Sequence, residues 1–342
     1  MSNPEITSQA PMSVANSILR SRLFWFVVAA IVISVLPMIF TDSYWRANLI
    51  VCAINVMLAI GLDFVLGYAG QLNLGQSAFY GIGAYASTLL ITKLGVPFWI
   101  AFTAGVLLAG LAGMLLSLFA VRLRGHYLAI ASLGFAVITY QILLNWISLT
   151  QGPLGIYAIP PPPALWLPGL GAMDFRNSAN LFYLTAGFAF LAYIILDQLV
   201  RSPIGETLTA IREDDVSAAS LGINCQKWKV FAFAVGSSVG GAAGCFYASF
   251  VGTLVPDAFF ITESFTILAM VIVGGVGTLI GPVLGAILLT VLPELLRGIG
   301  DLRLIVYGVA VTLVVLFMPG GIVQAAHVTA RRMRHFFKGI AR

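Results

Sequence analysis

Apolar positions in this chain run together in long blocks instead of alternating with polar ones. Stretches without a single charged side chain cover 23–41, 64–92, 94–121, 125–173, 177–196, 230–256, 264–293 and 304–330. A helix crosses the apolar part of a bilayer in roughly 20 residues, and each stretch is long enough to do so. Cut at polar clusters and at Gly and Pro, the blocks predict ten spans. They lie near 23–41, 47–66, 77–92, 98–121, 126–148, 181–200, 230–251, 264–279, 282–297 and 302–319. The region 264–297 holds Gly274, Gly275, Gly277, Gly281, Pro282 and Gly285, and reads as two short crossings or as one re-entrant hairpin. The expected fold class is all-α, a polytopic transmembrane helical bundle of about ten spans that includes short or discontinuous helices.

Composition narrows the function classes. Of 342 residues, 60% are hydrophobic and 9% charged, against about 25% charged in a soluble domain. No single core could hide that much apolar surface from water. A soluble enzyme, a nucleic-acid binder and a disulfide-framed secreted domain are excluded. The basic excess orients the chain instead. With the N-terminus inside, 13 Lys and Arg fall on cytoplasmic pieces and 5 on external ones, so both termini are expected in the cytoplasm. The first apolar run is too long for the core of a cleaved leader, and a retained first span is expected. The organisation is then a cytoplasmic segment 1–22, a transmembrane domain 23–323 and a basic cytoplasmic tail 324–342. Within the domain lie a Pro-rich external loop, 149–180, and a charged cytoplasmic loop, 201–229. Cys52, Cys225 and Cys245 are far apart and suggest neither a disulfide nor a metal site.

Three constellations stand out. In the loop 202–224, Ser202 before Pro203 signals a helix start, and Ile204, Leu208 and Ile211 form one apolar stripe. Asp214 or Asp215 can cap a second short helix over 216–221, closed by Gly222. Two short helices with an acidic cluster, Glu213, Asp214 and Asp215, suit a docking surface for a cytoplasmic protein better than an anionic lipid surface. The cluster lacks a facing second cluster, so no metal and no catalytic set is expected. Small residues recur every four positions at Ala232, Gly236, Gly240, Gly244 and Ala248, at Gly105, Ala109, Gly113 and Ser117, and at Gly277, Gly281 and Gly285. Such ridges let helices approach closely.

The third constellation, 67–77, interrupts an apolar stretch with Gly70, Gln71, Asn73, Gly75, Gln76 and Ser77. A second interruption holds Gly274, Gly275 and Gly277. Paired breaks of this kind point to a translocation pathway, although static re-entrant packing would read the same way. Asp63 would be a proton-relay candidate in an ion-coupled carrier, but it lies near the predicted cytoplasmic end, within reach of water or Arg124. No phosphate-binding loop occurs: 274–278 lacks the Lys that such a cradle needs.

Six ordered motifs then carry a resemblance: GYAGQLNLGQSAFYGIGAYAS (67–87), GHYLAIASLGFAVI (125–138), TQGPLGI (150–156), SPIGETLTAIREDDVSAASLGIN (202–224), LAMVIVGGVGTLIGPVLGA (268–286) and LFMPGGI (316–322). Over about 45–323 the chain resembles the permease subunits of the branched-chain amino acid ABC importers, of the LivM type in the LivH/LivM pair. The resemblance implies a multi-pass protein of the bacterial inner membrane with a second, homologous permease, two cytoplasmic ATPase subunits and a periplasmic substrate-binding protein. It makes the loop the ATPase-coupling element, through Ser202, Pro203, Gly205, Glu206, Ile211, Arg212, Glu213, Asp214, Ala218, Ala219, Leu221 and Gly222. No cofactor is expected on this chain; ATP and Mg would be used by the ATPase subunits. Asn73 stands where the family usually has Ser, Gln151 where Gly is common, and Glu206 where a basic residue is usual. Related permeases carry urea, short amides or small carboxylates, so those substrates stay open. A stand-alone ion-coupled carrier is the competing class.

Overall fold

The structure, a computed structural model, describes residues 12–40, 42–120, 126–167, 171–300, 302–317 and 320–324. Arg122, Arg124 and the predicted tail beyond Gln324 lie outside the described residues. Among the described residues, ten helices of 14 residues or more follow one another, each on a predicted span. They are α1 (Met12–Ile39), α2 (Ser43–Asp63), α3 (Gln76–Leu94), α4 (Phe98–Ala120), α5 (His126–Asn145), α7 (Ser178–Arg201), α10 (Cys225–Val251), α11 (Ile261–Gly274), α12 (Ile280–Leu295) and α13 (Leu302–Phe317). Short helices α6 (Ile147–Thr150), α8 (Pro203–Glu213) and α9 (Asp215–Ser220) lie between them. Among the described residues, seven of the helices are both long and apolar enough to cross a membrane. The 264–297 region resolves into two helices, α11 and α12, which pack on each other.

Two helices form the centre. Buried residues make up 72% of the membrane-length window of α2 and 61% of that of α10, against 28–39% in the other five. The small-residue ridge on α10 explains why. Gly236 faces the Gly61 carbonyl of α2, Gly240 faces Gln76, and Gly244 lies on the backbone of α3 at Tyr80 and Ala84. A neighbouring line serves α4: Gly241 packs on Ala109, and Ser237 on Gly113. Where lipid offers no hydrophobic gain, such backbone-to-backbone packing is what holds helices together. Lone polar groups pair across the interior, as when Asn55 of α2 donates to Thr290 Oγ1 of α12 at 2.9 Å.

The Pro-rich loop is more ordered than its sequence suggests. Leu165–Leu167 (β1) and Gly171–Met173 (β2) pair antiparallel, and Ile156 bridges to Leu254 in the segment after α10. Cys52 and Cys245 are buried and Cys225 half-buried, and all three are free thiols.

Candidate functional site

The loop after α7 folds as two capped helices. Ser202 Oγ accepts from the Ile204 N–H at 3.2 Å, with Pro203 opening α8, where its missing donor leaves nothing unsatisfied. Asp214 ends α8 and starts α9. Its carboxylate accepts from the N–H of Val216 at 2.8 Å and of Ser217 at 3.3 Å, and from Ser217 Oγ at 2.7 Å. These bonds, with the Ser217 hydroxyl first, hold the Asp214 pKa below its ordinary value. Gly222 follows in the left-handed region at φ +84°, as the closing position requires. Asp215 pairs with Lys229 of α10. The acidic cluster is therefore largely engaged in capping and pairing, and among the described residues no group of three or more His, Cys, Asp or Glu could hold a metal.

The apolar stripe of α8 turns inward. Leu208 and Ile211 are buried, and Leu208 packs with Ile60, Phe64, Ala69, Leu196, Ala232 and Leu279 at one end of the bundle. Gly205 lies directly on the Val200 carbonyl at the end of α7. The outer surface holds Glu206, Glu213 and two exposed apolar side chains, Val216 and Leu221, which are 63% and 81% accessible. Ala219 is exposed beside them, while Ala218 is buried.

Arg212 is the residue the sequence placed least well. Its Nη1 donates to the carbonyl of Gly67, in the single π turn, Phe64–Tyr68, that ends α2. A side chain on Gly70, at φ +66°, would begin 2.9 Å from Arg212 Cγ. One on Gly277, at φ +78°, would begin 2.8 Å from Arg212 Nη1. Gly277 in turn donates its N–H to Asp63 Oδ1 at 2.8 Å. The two glycine-rich breaks, Gly67 and Gly277 being 210 positions apart in sequence, thus meet each other and the loop helix at one end of the bundle. Asp63 does not reach water, contrary to expectation: it is fully buried as an acceptor for the turn between α11 and α12.

The remaining pathway candidates lie deeper. From Ala69 the chain runs non-helically to Gly75, and α3 begins among neighbouring helices. Protein groups bond the strap at several points along its length. Gln71 N–H bonds Val65 O at 3.1 Å, Leu74 N–H bonds Ser132 Oγ of α5 at 2.9 Å, and Gly75 N–H bonds Asn73 Oδ1 at 2.8 Å. Asn73 Nδ2 donates to Gln76 Oε1 at 3.2 Å, and Ser77 N–H to Ser264 Oγ of α11 at 2.9 Å. Gln71, Asn73, Gln76 and Ser77 are all buried. Satisfied backbone of this kind is what non-helical chain at membrane depth requires. Gly274 and Gly275 do not join the strap; they pack on Gly281 and on Gly320 and Gly321.

Sequence reasoning missed Ser132 and Ser264, one hydroxyl among several on α5 and on α11, and the Gly67 carbonyl. An apolar cleft of about 220 Å³ between α2, α4, α7 and α10 is lined by Met57, Phe102, Phe188 and Val239 among others, with Ser238 its one polar side chain. It offers no group to a charged substrate.

Comparisons with known proteins agree with this architecture. Residues 46–318 match the family described as branched-chain amino acid transport system / permease component. The chain is 35% identical to the high-affinity branched-chain amino acid transport system permease protein LivM of Escherichia coli, over 79% of this chain and 67% of that protein. It is 32% identical to the LivM protein of Salmonella typhimurium, over 91% and 76% of the two chains. Identity to the LivH permease of the same transport system in Salmonella typhimurium is 26%, over 80% and 92%. No solved structure matches.

Proposed function

This chain belongs to the family of branched-chain amino acid transport permease components, and on that premise we propose that it forms part of the membrane pathway of an ATP-driven importer for branched-chain or related hydrophobic amino acids. It works in the inner membrane beside a second, homologous permease. Two ATPase subunits sit on its cytoplasmic side, and a periplasmic binding protein delivers the substrate. The chain binds no nucleotide itself; ATP and Mg belong to the ATPase subunits.

One observation supports this reading above the others. α8 seats its apolar stripe on the ends of the membrane helices, while α8 and α9 together present Val216 and Leu221 outward. Exposed apolar side chains on a capped, charged element beyond the bundle end are what a protein partner would cover. A helix that is anchored inward and open outward can carry a partner's movement into the bundle. The charge distribution supports placing this end in the cytoplasm.

The test is purification of the tagged chain in mild detergent, followed by reconstitution with the binding protein. ATPase subunits and a second permease should co-purify. Labelled leucine, isoleucine or valine should accumulate only with ATP inside the ATPase-facing compartment, and urea or short amides should not compete. Uptake by the chain alone, driven by an ion gradient, would overturn the proposal.

A further inference from the structure

Arg212 has five N–H donors and uses one of them on the Gly67 carbonyl. Close by, Asp63 is fully buried, and only one of its two oxygens is bonded: Oδ1 takes the Gly277 N–H, while Oδ2 has no hydrogen-bond partner. Gly277 lies between the two groups: its N–H bonds Asp63 Oδ1, and a Cβ on it would stand 2.8 Å from Arg212 Nη1. A buried carboxylate oxygen without a donor is costly and becomes a strong acceptor once one comes within reach. One guanidinium therefore faces two acceptors, a peptide carbonyl it now holds and a carboxylate oxygen it does not. Both acceptors sit at the junction from which the strap 69–75 departs. The far end of that strap is pinned by Ser132 of α5 and Ser264 of α11.

We propose that Arg212 is a positioning residue for transport: as α8 moves, its guanidinium exchanges the Gly67 carbonyl for Asp63, and this exchange releases the strap and shifts the start of α3 against α5 and α11. The inference deepens the proposed function and rests on α8 being the element that the ATPase moves. Beyond the positive φ that both require, Gly70 and Gly277 leave the space through which Arg212 passes. In this account the two sets of sequence candidates, the loop and the breaks, are one device.

The experiment uses the whole importer in proteoliposomes and reads amino acid taken up per ATP hydrolysed. Arg212→Gln retains an N–H for Gly67 but has no charge with which to form an ion pair to a carboxylate. Asp63→Asn keeps an oxygen for the Gly277 N–H and removes the charge. Both variants should assemble and hydrolyse ATP, with uptake per ATP at least tenfold down. Arg212→Lys should recover to within about threefold of the unaltered importer, since an ammonium can serve either acceptor. Unchanged uptake per ATP in Arg212→Gln or Asp63→Asn would overturn the exchange. So would failure of both to assemble, which would assign the pair to folding alone. If the unaltered importer shows no ATP-dependent uptake, the functional reading fails instead, and the two failures are told apart.

Discussion

Glycine does two different jobs in the centre of this molecule. Along α10, Gly236, Gly240 and Gly244 have ordinary helical backbone, and their value lies in the space they leave for α2 and α3. At the breaks, Gly70, Gly275 and Gly277 have positive φ, and their value lies first in the backbone they allow. The first group makes a rigid centre and the second makes the joints around it. The two jobs predict different failures. A side chain in the ridge separates helices and should prevent folding, whereas one at a joint should leave the fold and stop the movement.

The largest effect belongs to the ridge. Gly236→Leu would place a Cβ 2.5 Å from the Gly61 carbonyl and from Val65 Cγ2, before the rest of the side chain is counted. Neither neighbour is free to swing away, since one is backbone and the other buried. Overpacking of this severity costs at least about 3 kcal/mol, enough to unfold a marginal protein. The variant should be absent from the membrane fraction on size-exclusion chromatography of the solubilised protein. A well-assembled Gly236→Leu would show that α10 can move away from α2, and the distinction between centre and joints would collapse.

Gly277→Val tests the joint. Its side chain meets the end of the Arg212 side chain, which can swing, and the Gly67 carbonyl at 3.2 Å. The φ of +78° adds strain of about 1–2 kcal/mol for a residue with a Cβ. The chain should still assemble, with uptake reduced tenfold or more. Normal uptake would remove Gly277 from the moving parts.

The sequence was informative about the elements and much less so about their meeting points. Ten apolar blocks fall on ten long helices because a bilayer leaves a span little choice but helix. Ser202, Asp214 and Gly222 were legible as caps because capping is local chemistry, decided within three residues. The π turn at 64–68 was not legible, since its residues are as apolar as the helix before it. Nor was the contact of Arg212 with Gly67, which joins positions far apart in sequence through a carbonyl that every residue has. A charged residue in a loop reads as solvent-facing, and Arg212 is exposed; only the fold shows that its Nη1 reaches the Gly67 carbonyl. The site roles of the loop and the breaks accordingly rest on the transport experiments above.

A control for the ridge is a glycine with neither job. Gly134 lies inside α5, and a Cβ built there meets nothing within 4 Å. Glycine in a helix interior costs about 0.5–1 kcal/mol relative to alanine, so Gly134→Ala should raise the unfolding midpoint of the solubilised chain slightly. A loss of stability would mean that space around α5 is as restricted as space around α10.

The smallest effect comes from the opposite case, a joint without a glycine. Gln151 follows α6 with φ +64° and is exposed, at the position where glycine is common in the family it resembles. Left-handed backbone costs a residue with a Cβ about 1–2 kcal/mol. Replacing it by glycine removes that strain but returns about 0.4–1 kcal/mol of freedom to the unfolded chain. Gln151→Gly should therefore gain roughly 0.5–1 kcal/mol, the difference of those two magnitudes. Thermal unfolding in detergent should move up by no more than about 2 °C, and uptake should stay unchanged. Glycine at this joint would then act on conformation alone, with no neighbour to displace. If Gln151→Gly instead destabilised the chain, the Gln151 side chain would be holding the start of the external loop, and positive φ would not be what distinguishes the joints from the ridge.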